Sequence, residues 1–202
     1  TMKHSITALL CSLFTTFCFA ENKVSVIEYC PAPGQFVNTL PIIESEDDVL
    51  QKAQQNLERG SMISLGAFGG YMTVKFDTPL ANAEGNDFII LGNAFATSAE
   101  PGVVMVSRDA NQNGIADDRW YEIAGSEYAR STKNYEITYY RPTAENDASE
   151  EAVNDYIHWS DNQGNSGWLT KNTTHKQPYY PTWINADSLT FRGTLLPDNA
   201  ID

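Results

Sequence analysis

The sequence is short of basic residues. Thirteen Lys and Arg stand against 26 Asp and Glu, for a formal net charge of −13. A nucleic-acid partner needs Lys and Arg to displace phosphate counterions, so nucleic acid is excluded as a partner. Cysteine is scarcer still, with Cys11, Cys18 and Cys30 as the whole set. The first two fall in an N-terminal export segment, which leaves Cys30 without a partner for an intramolecular disulfide. No Gly-x-Ser-x-Gly elbow occurs, and outside the export segment the histidines are His158 and His175, neither with a second His or Cys at zinc-ligand spacing. No apolar run reaches the length of a transmembrane span. No catalytic residue is therefore assigned.

What is present begins with "MKHSITALLCSLFTTFCFA", residues 2–20. Lys3 and His4, an apolar stretch and Ala20 at a cleavage point read as a secretory signal peptide over residues 1–20. "FTTFC" lacks the Leu and small residue that a lipoprotein signal places before its cysteine, so Cys18 is not read as a lipid anchor. The expectation is a secreted or surface-displayed protein. Residues 21–202 are enough for one sizeable core and too few for two, so they are read as a single domain.

Within that domain "SEDDVLQKAQQNLERG", residues 45–60, carries the one strong helix signal. Ser45 stands three residues before Asp48 as a capping-box start, Val49, Leu50, Ala53 and Leu57 recur at helical spacing, and Gly60 stops the run. From Ser61 onward the period becomes two. "MISLGAF", "YMTVKF", "DFIILG", "VVMVSRD", "RWYEIAG", "YEITYYR", "YIHW" and "SLTFRGT" are short, rich in β-branched and aromatic residues, and separated by turn formers. The predicted class is all-β, a β-sandwich of jelly-roll type with one short N-terminal helix. Residues 142–155, "PTAENDASEEAVND", read as an exposed loop or a short surface helix.

"DANQNGIADD", residues 109–118, sits between two predicted strands. Side-chain oxygens of Asp109, Asn111, Asn113, Asp117 and Asp118, with the carbonyl of Ile115, converge around a sharp turn that Gly114 permits. Hard oxygen donors in a flexible loop suit Ca²⁺ and not Zn²⁺, so these six residues are the predicted calcium ligands. An EF-hand is excluded, because Trp120 stands where the bidentate Glu is required and the flanks alternate like strands. The competing reading is a plain Asn/Asp/Gly turn without metal. Glu100 is a candidate ligand for a second calcium, set against its reading as a solvated loop acid.

All four tryptophans and eight of the ten tyrosines lie beyond residue 119. Trp159, Trp168, Tyr179, Tyr180 and Trp183 fall in or beside loops rich in Asn, Gly and Pro. They are the predicted ligand-binding residues, ring faces on which a sugar or planar molecule stacks. Asp161, Asn162, Gln163, His175 and Gln177 would supply hydrogen bonds. The alternative is that many of these rings are core.

Four stretches carry a resemblance: "SLGAFGGYMTVKFDTP", "DFIILGNAF", "EPGVVMVSRDANQNGIADDRWYEIAGSEY", and "WSDNQGNSGW" followed by "YYPTW". Over residues 27–202 the chain resembles a family of secreted bacterial cell-surface proteins, also described as PKD-domain-like, and its motif order is similar to galactose-binding-like jelly rolls. The resemblance implies a galactose-binding-like fold, a C-terminal strand pair beyond residue 202, and nutrient capture at an outer membrane beside a transporter partner. The function expected from residues and resemblance together is a non-catalytic, calcium-stabilised cell-surface module that binds a glycan or another small nutrient. Two alternatives stand beside it. One is a glycan hydrolase drawing paired carboxylates from Glu100, Asp109, Asp118, Glu122 or Asp161. The other is a structural or accessory subunit of an outer-membrane uptake complex, for instance for a corrinoid.

Overall fold

The computed structural model describes residues 23–39, 46–96, 98–143 and 156–197. The expected signal segment, the expected helix cap at Ser45 and the acidic stretch 144–155 lie outside them. Among the described residues there are ten strands and one α-helix: β1 (Val24–Cys30), α1 (Glu46–Glu58), β2 (Tyr71–Phe76), β3 (Ala94–Phe95), β4 (Ser98–Ala99), β5 (Met105–Ser107), β6 (Trp120–Glu122), β7 (Thr132–Tyr140), β8 (Tyr156–Asp161), β9 (Ser166–Thr170) and β10 (Ser188–Leu195). Every pairing is antiparallel. One sheet has four strands in the order β10-β7-β8-β9, and β1-β2, β3-β4 and β5-β6 form two-stranded sheets. The strand-dominated class expected from the sequence is the class observed.

The four-stranded sheet follows its two-residue period closely. Tyr135, Ile137 and Tyr139 of β7, Ile157 of β8 and Phe191 of β10 point to one face, where they form the main core with Ala32, Tyr179 and Tyr180. Trp159, Leu169, Leu189 and Leu195 pack against that cluster from the same face. The residues of opposite parity face outward. Burying this row of large apolar side chains contributes on the order of 1.5–3 kcal/mol each before entropy is counted.

A second cluster lies where α1 meets β1. Val49 and Ala53, four residues apart on one face of the helix, bury against Tyr29, with Val26, Leu50, Ile63, Met72 and Trp183 around them. Polar contacts fix the same junction: the Gln54 Oε1 accepts Val26 N–H at 2.7 Å and its Nε2 donates to Val24 O at 3.1 Å. One helix side-chain amide thus satisfies two backbone groups of β1 next to its register shift between Val26 and Glu28.

Two expected strands are absent. "MISLGAF" is a loop whose Ala67 N–H bonds Pro33 O at 3.1 Å and whose Leu65 O accepts Ala32 N–H at 3.0 Å. Gly66 has φ +78, and a Cβ there would lie 1.9 Å from Ala32 O, so two loops press together where a side chain cannot stand. "DFIILG" forms no strand and is unpaired among the described residues, with Ile89 and Leu91 exposed by 81% and 82%. Conversely, β1, β3, β4 and β9 lie outside the eight segments expected as strands.

Candidate functional site

Of the five aromatics predicted to form an open binding face, one is open. Trp168 on β9 is 53% exposed. Tyr179 and Tyr180 are each 4% exposed and belong to the main core. Their burial has a long-range cause. The Asn38 Nδ2 donates to Pro178 O at 2.6 Å and to Tyr180 O at 2.9 Å, its Oδ1 accepts Thr182 N–H at 3.0 Å, and Gly34 N–H donates to Tyr179 O at 3.0 Å. The "PYYPTW" loop is therefore stitched inward. Trp183 stacks on Tyr29 with ring centroids 6.5 Å apart, and Trp159 packs against the core from the inner face of β8. A Cβ at Gly167 would lie 2.7 Å from the Trp159 ring, so β9 has a glycine where that ring needs room.

Three of the five expected polar neighbours, Asp161, Asn162 and His175, are also committed. Asp161 closes the β8–β9 turn, accepting Gln163 N–H at 2.9 Å, Asn165 N–H at 2.7 Å, the Asn165 side chain at 2.9 Å and the Tyr135 hydroxyl at 3.0 Å. Asn162 bridges back to β7, donating to Asn134 O at 2.9 Å. The His175 Nδ1 and the Tyr179 hydroxyl are 2.5 Å apart, and Phe36 lies against the imidazole with centroids at 4.8 Å. This cluster braces the loop that carries Tyr179.

Trp168 instead stands in a different company. Its ring meets His158 of β8 edge-on at 5.1 Å, and His158 stacks on Tyr140 of β7 at 5.2 Å with 29° between the planes. His158 and Trp168 are direct cross-strand partners, and Tyr140 follows the β7–β8 register one step beyond the Tyr139–Trp159 pair. Tyr156, 43% exposed, and the Tyr140–Thr143 segment complete a shallow depression around the three rings. The Tyr140 hydroxyl is tied to Ser160 Oγ at 2.9 Å, which fixes the ring's tilt. Beside the depression Arg141 is locked, its Nε donating to Ala186 O at 2.9 Å and its guanidinium lying 4.6 Å over the Tyr180 ring. A row of rings on a rigid sheet, open to solvent and ending on an edge strand, is suited to stacking against a flat apolar ligand surface. Tyr140, Tyr156 and His158 were missed from the sequence, although their parity, opposite to Tyr139 and Ile157, was a signal for an outward face.

The acidic loop joins β5 to β6, which pair from Met105–Glu122 to Ser107–Trp120. Its side chains shape it from within. The two Asp109 carboxylate oxygens accept Asn113 N–H at 3.1 Å and Gly114 N–H at 2.9 Å, the Asn111 Oδ1 accepts Asn113 N–H at 3.0 Å, and the Asn113 Oδ1 accepts Ile115 N–H at 2.8 Å. The Asn113 Nδ2 donates to Asp117 at 3.0 Å, and Asp118 accepts Ala110 N–H at 2.9 Å. Gly114 has φ +75, and a Cβ there would lie 2.9 Å from Lys75 Nζ, so an ammonium group of β2 rests against the turn. The donor set is all oxygen, three carboxylates and two amides with a backbone carbonyl, and carboxylate oxygens have lone pairs beyond those the N–H groups use. That chemistry fits a hard cation. Among the described residues, no three His, Cys, Asp or Glu side chains are gathered as a metal cluster, so amide and carbonyl oxygens would have to complete any coordination. Glu100 accepts from the Gln35 side chain at 3.3 Å.

On this hairpin Glu122 of β6 forms a partly buried ion pair with Lys133. Its Oε1 meets Lys133 Nζ at 2.8 Å and its Oε2 accepts the Thr194 hydroxyl at 2.6 Å. Desolvation works to raise its pKa, but the hydrogen bonds and charge of Lys133 and the bond from Thr194 outweigh it and hold the carboxyl below its ordinary range. Among the described residues, no helix is long and apolar enough to cross a membrane. Compared with known proteins, the chain matches no protein-family model and no curated protein.

Proposed function

We propose that this chain is an exported, cell-surface binding module of galactose-binding-like jelly-roll type, without catalytic chemistry, that holds a glycan or another nutrient ligand. The ligand lies on the outer face of the four-stranded sheet, over Tyr140, His158 and Trp168. The observation that carries the reading is Trp168: an indole 53% exposed at an edge strand, packed against two further rings by direct cross-strand pairing. A contiguous row of exposed rings, unlike a single exposed side chain, is the kind of surface that marks an interaction site. Calcium has a structural part in the proposal. Bound by Asp109, Asn111, Asn113, Asp117, Asp118 and the Ile115 carbonyl, it would neutralise mutually repelling carboxylates and stiffen the β5–β6 hairpin. The test is affinity: against a panel of soluble oligosaccharides and planar nutrients, Trp168→Ala weakens the best ligand roughly tenfold. Equal affinity of the two proteins for every ligand bound contradicts the site.

A further inference from the structure

The outer face of the four-stranded sheet holds a second row, one pleat away from the rings. Thr190 of β10, Thr138 of β7, Ser160 of β8 and Ser166 of β9 are successive cross-strand partners, so four hydroxyls cross the sheet in line. The two rows are about 6.7 Å apart, the rise of two strand residues. Thr138 and Thr190 are hydrogen-bonded to each other at 2.8 Å, and Ser160 to the Tyr140 hydroxyl at 2.9 Å. Each hydroxyl has one donor and two acceptor sites, so these pairs still have hydrogen-bonding capacity toward solvent. A third row closes the face with Glu136 and Arg192, bound to each other at 3.3 Å. Asp161, beside it, is spent on turn amides and on Tyr135. Among the described residues, the charged pair of this third row is thus self-engaged, and what the two rows beside it offer a ligand is apolar ring surface next to neutral hydroxyls.

Resting on the binding reading above, we infer that the occupant is an uncharged oligosaccharide lying across the strands. Its pyranose faces rest along Tyr140, His158 and Trp168, and its hydroxyls meet Thr138, Ser160 and their row neighbours. A sugar ring combines these two surfaces, an apolar C–H face and a hydroxyl edge. The described residues of these two rows include no Asp, Glu, Lys or Arg to pair with a carboxylated or aminated sugar, and desolvating its charge against the rings is unfavourable.

The experiment is calorimetric titration of the full chain, of Thr138→Val with Ser160→Ala, and of Trp168→Ala. The probes are cellohexaose, mannohexaose, hexagalacturonate and the glucosamine hexamer, with melting curves to establish folding. A neutral hexasaccharide binds the wild type best. The hydroxyl variant binds it roughly fivefold to tenfold more weakly with an unchanged melt. Preference for either charged hexamer, or wild-type affinity in the hydroxyl variant, overturns the inference while a loss in Trp168→Ala keeps the aromatic platform. Wild-type affinity in Trp168→Ala overturns the platform itself, and failure of both neutral hexasaccharides to bind at millimolar concentration overturns the inference.

Discussion

The Tyr135 hydroxyl donates to Asp161 at 3.0 Å, joining the inner row of β7 to the turn that ends β8. The contact shapes both groups. Burial first, and then the carboxylate it bonds, push the Tyr135 pKa up to about 12. Desolvation of Asp161 works to raise its own pKa, but the bonds from Asn165, Tyr135 and Gln163 outweigh it and hold the carboxyl below its ordinary 3.8. A carboxyl depressed on folding stabilises fully above its unfolded pKa and loses that contribution as pH falls through the folded one. Melting temperature should therefore begin to fall near pH 4.5, the ordinary value for Glu122, which is likewise depressed, and fall further below the ordinary value of Asp161. Asp161→Asn should melt lower than wild type at neutral pH, with the gap closing in acid. Parallel curves would show that the turn does not depend on the charge.

Asn38 makes contacts more than a hundred residues away in sequence, to Pro178, Tyr180 and Thr182. Asn38→Ala should cost about 1–3 kcal/mol, by leaving these backbone groups without their partner. For a chain of this size that is a fall in melting temperature of about 2–4 °C per kcal/mol. Ligand affinity at the outer sheet face should be unchanged. A variant that melts normally but binds poorly would place the binding site in the 178–183 loop instead.

Gly66→Ala is predicted to be among the most damaging single changes. Its φ of +78 disfavours any side chain, and the new Cβ would meet Ala32 O at 1.9 Å. Soluble expression with a wild-type melt would show that the contact between the two loops is not tight.

How much of this was legible beforehand follows from the range of each interaction. The helix was readable because Val49 and Ala53 sit four apart in one segment, and the core face of β7, β8 and β10 because Ile137, Tyr139, Ile157 and Phe191 alternate with polar or exposed residues. The buried fate of Tyr179 and Tyr180 was not, since it is fixed by Asn38 and Gly34, far away in the chain. "DFIILG" and "MISLGAF" carry strand composition, but composition does not supply a pairing partner, and Gly66 of the second serves close backbone approach. The outward row of Tyr140, His158 and Trp168 needed the registers of two ladders, which neighbouring residues alone do not specify. Grouping aromatics by their loops therefore caught Trp168 and missed the two rings beside it.

Calcium provides an independent check on the acidic loop. An ion bound only by the folded protein stabilises it by mass action, about 2.7 kcal/mol at a hundredfold excess over Kd. Melting should rise with added Ca²⁺ and fall with chelator, and Asp109→Ala should remove most of the difference. Coincident melts of chelated and calcium-loaded wild type would reduce residues 109–118 to a hydrogen-bonded turn.

The central claim is that ligand meets Trp168 and not the buried rings. Incorporating 5-fluorotryptophan gives four ¹⁹F resonances, one each for Trp120, Trp159, Trp168 and Trp183, assignable by single Trp→Phe variants. On titration with the best-binding oligosaccharide, the Trp168 resonance should shift and saturate with the calorimetric Kd while the other three stay in place. A saturating titration in which Trp159 or Trp183 moves and Trp168 does not would contradict the account.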